Sequence, residues 1–167
     1  LINIMSEKIA FAGIGNMGLP MAKNLMNSGK KVKVFDVSSS MIDKAKKENL
    51  SVAENIDSLI EQDLSFFITM LPEGKNSEEV YLGKNGIIKK VPKNCLLIDC
   101  STIDIETSIK IGKKAQEEKI KMIDAPVSGG VMGAKKATLN IMVGGSKEAF
   151  EIALPILNIM GKNIFHA

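Results

Sequence analysis

Gly13-Ile14-Gly15-Asn16-Met17-Gly18 and, about 20 residues later, Asp36 are the residues whose types and spacing suggest chemistry. Gly13 permits a tight turn, Gly15 lets backbone amides approach a bulky anion, and Gly18 lets a helix pack closely on a strand. The start of that helix would face the anion with unpaired N–H groups and a partial positive charge. Asp36 closes a second apolar run, where a carboxylate can accept both hydroxyls of a ribose. Taken alone, the glycines could be a steric turn, and Asp36 a loop acid or a cap for the next helix. Ser38, Ser39 and Ser40 are competent alternatives as that cap. The combination favours a nicotinamide dinucleotide, with Asp36 repelling a 2′-phosphate and so favouring NAD over NADP. All 22 basic residues are lysines, which leaves no arginine to clamp a phosphate with two parallel bonds. Lys30, Lys31 and Lys33 enter the second run at its far end, roughly 10 Å from Asp36.

The elements that would position these residues alternate along the chain. Apolar runs at Ile9 to Ala12, Val32 to Phe35, Leu64 to Met70, Leu96 to Asp99 and Met122 to Asp124 read as strands, with a fainter one near Ser51 to Ala53. Helical spacing falls at Met17 to Asn27, Met41 to Asn49, Ile56 to Glu61, Ser77 to Tyr81 and Ile105 to Glu118. Leu139 to Val143 and Asn163 to Phe165 read as late strands around a helix from Lys147 to Gly161. The fold class is therefore α/β: a mostly parallel sheet with helices on both faces. In such sheets ligands bind outside the carboxyl ends of the strands. Three segments follow strands there: Thr69-Met70-Leu71-Pro72 with Asn76, Asp99-Cys100-Ser101-Thr102-Ile103, and Asp124-Ala125-Pro126-Val127-Ser128-Gly129-Gly130. Ser128 with two glycine amides could bind a carboxylate. The plainer alternatives are that the prolines end strands, Thr102 caps a helix and Gly129-Gly130 is a flexible turn.

Together these motifs, with Gly133-Ala134 leading to Leu139 and Gly144-Gly145, resemble the 3-hydroxyisobutyrate dehydrogenase family, β-hydroxyacid dehydrogenases related to 6-phosphogluconate dehydrogenase. The resemblance runs from Lys8 to His166. It implies a doubly wound Rossmann domain over 8–167, with 1–7 a leader or disordered N-terminus and an all-helical C-terminal domain absent. It implies NAD as cofactor, with Asn16 and Met17 giving amides to the pyrophosphate and Leu71, Pro72 and Asn76 lining the cofactor. Thr102 would sit near the nicotinamide, and Ser128, Gly129 and Gly130 would hold the carboxylate of a short 3-hydroxy acid. Ala137 departs from the family, which usually has glycine there. The family's catalytic base is a lysine in a G-x-x-x-K-x-x-N-N helix, and no lysine here matches it. Lys135 and Lys136 belong to another motif and are expected to face solvent. No catalytic residue is therefore assigned in this chain, and alone it is expected to bind NAD without turnover. His166, the one histidine, is read as a hinge remnant.

Composition narrows the alternatives. At 167 residues the chain suits one domain, and 45% hydrophobic residues suffice for its core. A net charge of +3 and scattered lysine pairs give no nucleic-acid or anionic-membrane footprint. Cys95 and Cys100 lack metal-site spacing and read as reduced thiols, and no metal is expected. No run approaches a membrane span of about 20 apolar residues, Met5 offers a natural start, and a cytoplasmic protein is expected, or a mitochondrial-matrix one in a eukaryote. The full-length protein is expected to be a homo-oligomer. A non-catalytic NAD sensor would keep the glycines and Asp36, but has no need of the Asp124 to Gly130 segment.

Overall fold

The computed structural model describes residues 7–167, so the expected leader lies outside the described residues save for Glu7. The chain runs β1 (Lys8–Ala12), α1 (Gly18–Asn27), β2 (Lys31–Phe35), α2 (Ser39–Lys47), β3 (Ser51–Val52), β4 (Phe66–Thr69), α3 (Gly74–Leu82), β5 (Leu96–Asp99), α4 (Ile105–Glu117) and β6 (Met122–Asp124). These strands form one parallel sheet in the order β3-β2-β1-β4-β5-β6. The winding goes outward from β1 to β3, then crosses to β4 and proceeds the other way. That reversal opens a crevice between the carboxyl ends of β1 and β4, the topological switch point of a doubly wound sheet.

Alternation of the strand side chains divides the core. Ile9, Phe11, Phe66, Ile68, Leu96 and Ile98 face a cluster with Met21 and Leu25 of α1. Ala10, Ala12, Phe67 and Leu97 face the other way, towards Tyr81 of α3 and Ile111 and Ala115 of α4. A sheet buried on both faces needs apolar residues at every strand position, which is why these strands read as unbroken apolar runs.

Beyond β6 the late strands and the helix between them fall where the sequence reading has them, but they belong to a separate sheet. Val127–Ser128 is a short strand, β7; Gly130–Lys136 is a helix, α5; then come β8 (Leu139–Val143), α6 (Lys147–Met160) and β9 (Gly161–His166). β7 pairs antiparallel and β9 parallel to β8, making a second three-stranded sheet. The two sheets touch where Asp124 and Gly144 exchange N–H···O bonds of 3.1 and 2.8 Å. The glycine pair, for which a flexible turn was the plainer alternative, starts α5, Gly129 preceding it at φ 134°. Ile56 to Glu61, expected helical, contains only a 3-10 turn at Asp57–Leu59. Six residues are too few to recover the cost of nucleating an α-helix, and Asn55 instead accepts a bond from Ser58 N–H at 2.9 Å. His166 is the last residue of β9, its ring stacked on Phe150 at 4.5 Å and its Nε2 2.9 Å from Gly145 O.

Candidate functional site

The crevice at the switch point is a cleft of about 720 Å³, within the usual range for a ligand pocket. Gly13, Gly15, Asp36, Leu71, Pro72 and Asn76 line it, so six of the eleven expected cofactor residues are brought together. Gly13 adopts φ 94°, donates to Phe35 O at 3.0 Å, and lies so close to the next loop that a Cβ there would stand 2.3 Å from Met70 O. Gly18 is tighter still, its added Cβ meeting Gly13 O at 1.8 Å, so α1 packs on the loop only because residue 18 has no side chain. At Gly15 an added Cβ would meet nothing within 4 Å, yet the residue lines the cleft. The space beside it is open.

Asp36 is not the cap of α2. Ser38 is, its hydroxyl accepting from Met41 N–H. The carboxylate instead joins two loops: Oδ2 accepts from Ile14 N–H and Oδ1 from Ser38 N–H, each at 2.8 Å. A carboxylate oxygen has two lone-pair sites, so both oxygens retain capacity for a ligand in the cleft Asp36 lines. Ile14 itself is buried, contributing its amide to Asp36 rather than a side chain to the cleft. Asn16, Met17 and Gly18 form the entry to α1, where Leu19 N–H already donates to Gly15 O at 3.0 Å and Pro20 has no N–H, so the amides left for an anion are those of the entry residues themselves.

Asn76 has a second task. Its Oδ1 accepts from Glu73 N–H at 3.0 Å, half of a capping box that starts α3. Thr102 is exposed and outside the cleft lining, and the cap of α4 is Asp104, which accepts from Thr107 N–H at 2.9 Å. Ser128, Gly129 and Gly130 are exposed on β7 and the start of α5, away from that lining. Lys135 and Lys136 are exposed on α5.

Sequence reasoning missed the far end of the cleft, where Asn55, Ile56 and Asp57 arrive from the 3-10 turn and Glu79 and Val80 from α3. The signal was the Asn55 to Ser58 turn, which was read as a helix. The charged residues lining the cleft are Asp36, Asp57 and Glu79, all acidic, with Asp57 paired to Lys90 at 2.8 Å. Thr69, Asp99 and Ser101, which lie in segments expected at the cofactor edge but given no role there, form a buried polar group with Tyr81. Burial pushes the Asp99 carboxyl above the ordinary carboxylate range, against hydrogen bonds from Ser101, Thr69 and Ser77 that hold it down. Asp99 Oδ2 and Ser77 Oγ nonetheless complete no hydrogen bond of ordinary geometry. Among the described residues no group of three or more His, Cys, Asp or Glu could hold a metal, and no helix is long and apolar enough to cross a membrane.

A doubly wound parallel sheet with a glycine turn, a helix N-terminus and a second-strand acid around its switch point defines a dinucleotide-binding domain. The chain belongs to the family described as the NAD binding domain of 6-phosphogluconate dehydrogenase, whose model matches residues 8–167. It is 44% identical to a 3-hydroxyisobutyrate dehydrogenase of Pseudomonas aeruginosa, over 95% of this chain and 53% of that protein. It is 41% identical to an NAD-dependent L-serine dehydrogenase of the same organism, over 96% of this chain and 54% of that protein. A solved structure of Mycobacterium tuberculosis 3-hydroxyisobutyrate dehydrogenase with L-serine matches with a TM-score of 0.90 at 34% identity, over 97% of this chain and 54% of that one. The chain spans about half the length of the relatives it matches.

Proposed function

We propose that this chain is the cofactor half of an NAD-dependent dehydrogenase acting on short 3-hydroxy acids. The observation that carries the reading is the coupling of Asp36 to the glycine loop through Ile14 N–H at the rim of a cleft with room at Gly15. The acid and the glycine loop are thus tied together by a hydrogen bond, with Asp36 in the cleft lining. The residues present fit the cofactor: the amides at the start of α1 would hold the pyrophosphate and Asp36 the adenine ribose, with Leu71 and Pro72 as an apolar wall. Bound there, the nicotinamide would supply a hydride acceptor. At the ribose end the charged lining residue is Asp36, which would repel a 2′-phosphate, and this supports NAD over NADP.

The substrate class follows from what the relatives' named substrates share. 3-Hydroxyisobutyrate and L-serine are both 3-hydroxy acids differing at C2, so the common handles are the carboxylate and the C3 hydroxyl. Thr102 is proposed at the nicotinamide end, and Ser128, Gly129 and Gly130 as the carboxylate anchor. Removing the hydroxyl proton as hydride leaves requires a base. No group in this chain is assigned that task, and it is proposed to come from an all-helical domain outside the chain. The full-length protein is proposed to work as a homo-oligomer in the cytoplasm or mitochondrial matrix.

Calorimetric titration of this chain with NAD and NADP, beside Asp36→Ala, tests the reading. Saturable NAD binding, weakened about 10-fold or more by the substitution and poor for NADP, is expected from the loss of a charge-assisted bond. Absence of NAD binding, or equal affinity for the two nucleotides, would contradict it. The chain alone should not oxidise 3-hydroxy acids, and robust turnover would place the base within these residues.

A further inference from the structure

Resting on the reading of the cleft as an NAD site, we infer that Ser101 is a positioning residue, with Asp99 behind it, that holds the Leu71 loop against the glycine turn. Sheet pairing between β4 and β5 ends where Cys100 N–H donates to Thr69 O at 2.8 Å. One step on, Leu71 N–H has no strand partner and donates to Ser101 Oγ at 2.7 Å. Ser101 is itself fixed, for its N–H donates to Asp99 Oδ1 at 3.0 Å. The same carboxylate oxygen accepts from Thr69 Oγ1 at 2.9 Å. Because a threonine hydroxyl has one proton to give, Tyr81 O–H is the donor in its 2.6 Å bond to Thr69. A continuous polar chain thus runs from α3 across the ends of β4 and β5 to the backbone of the cleft wall.

Its place argues for more than stability. Thr69 and Asp99 are register partners in the last rung of the sheet, and apolar residues could fill a rung without the cost of burying a carboxyl. What apolar residues could not do is satisfy Leu71 N–H while leaving the loop free of the sheet. Leu71 lines the cleft, and its Cδ2 stands 3.0 Å from where a Cβ on Gly13 would be, so the Leu71 side chain sits directly beside the glycine turn. Ser101 also precedes Thr102, so one hydroxyl sets the spacing of two loops at the cofactor edge.

The test compares the wild-type chain with Ser101→Ala, Ser101→Thr and, as a control for lost stability away from the cleft, Ser146→Ala, which removes the cap of α6. Ser101→Ala is expected to stay folded by circular dichroism, to lose hydrogen-exchange protection at the Leu71 amide, and to bind NAD about 10-fold more weakly. Ser101→Thr, which keeps a hydroxyl, should recover most of both, and Ser146→Ala should bind NAD as the wild type does. Equal NAD affinity in wild type and Ser101→Ala would overturn the inference while leaving the cofactor reading intact. A wild type that binds no NAD would overturn the cofactor reading, and the inference with it.

Discussion

Asp99 is almost wholly buried, with one carboxylate oxygen unpartnered, and its folded-state proton affinity is raised chiefly by desolvation. An acid whose folded pKa exceeds its unfolded value binds more protons folded than unfolded between those two values, so stability falls as pH rises through that window and then levels off. Asp99→Asn keeps Oδ1 as an acceptor for Thr69 and Ser101 and offers an amide where the carboxylate has an orphan oxygen. The variant should lose that downward slope and, at neutral pH, be at least as stable as wild type; urea melts across pH 4 to 8 would show it, and an unchanged slope would contradict it. The thiols are a second residue-scale case. Burial pushes Cys95 up to about 12 and Cys100 higher, so neither should react with a thiol reagent at pH 8 until the chain unfolds. Ala137 holds φ 56° and ψ 39° at the end of α5, the left-handed region where a Cβ costs roughly 1–2 kcal/mol, which accounts for the family's glycine at this position. Ala137→Gly should therefore raise stability by up to about 1 kcal/mol after glycine's entropy cost, read as a higher midpoint in thermal unfolding. The fingerprint glycines and Asp36 were legible because their roles are backbone and charge, which residue type alone reveals. Ser101 was not, since a buried serine and an exposed one are the same letter until the loops are placed.

At the scale of elements, the glycines of the strand-turn-helix unit do different work although the motif writes them alike. At Gly18 a Cβ collides with backbone that cannot yield, so Gly18→Ala should cost several kcal/mol or prevent folding, as calorimetry of unfolding would register. At Gly15 a Cβ meets no protein atom, and the residue lines the cleft, so Gly15→Ala should melt within about 0.5 kcal/mol of wild type and bind NAD markedly less well. Equal losses of stability in both variants would contradict this division. The same elements show where sequence reading works. The central strands β1, β4 and β5 of the large sheet are apolar on both sides and announce themselves, whereas β7 has two residues and α5 seven with two glycines, too few for either period to register. The longer α3 was hidden for another reason: its first turn, Gly74-Lys75-Asn76, carries no apolar residue, and the capping box that starts it is visible only in space.

For the whole molecule, the small sheet decides what remains uncovered. β8 alternates, Leu139, Ile141 and Val143 facing the core while Asn140 and Met142 face out, and Phe165 is the register partner of Met142 on β9. Met142 and Phe165 are about half exposed, as is Met132 on α5, which packs on β8. A half-covered sheet is unusual for a chain whose large sheet is sealed on both faces, and apolar side chains paired across strands form a patch rather than scattered exposure. The expectation is that this chain self-associates as its concentration rises, measurable as a climbing apparent mass in light scattering. Met142→Lys with Phe165→Lys should hold it monomeric, and because both side chains already face out, its unfolding midpoint should shift by no more than about 0.5 kcal/mol. NAD affinity should not change, since neither residue lines the cleft. A wild type that stays strictly monomeric at high concentration would mean the pair is too small a surface to drive contact, and the sheet's outer face would then be tolerated exposure rather than an interface.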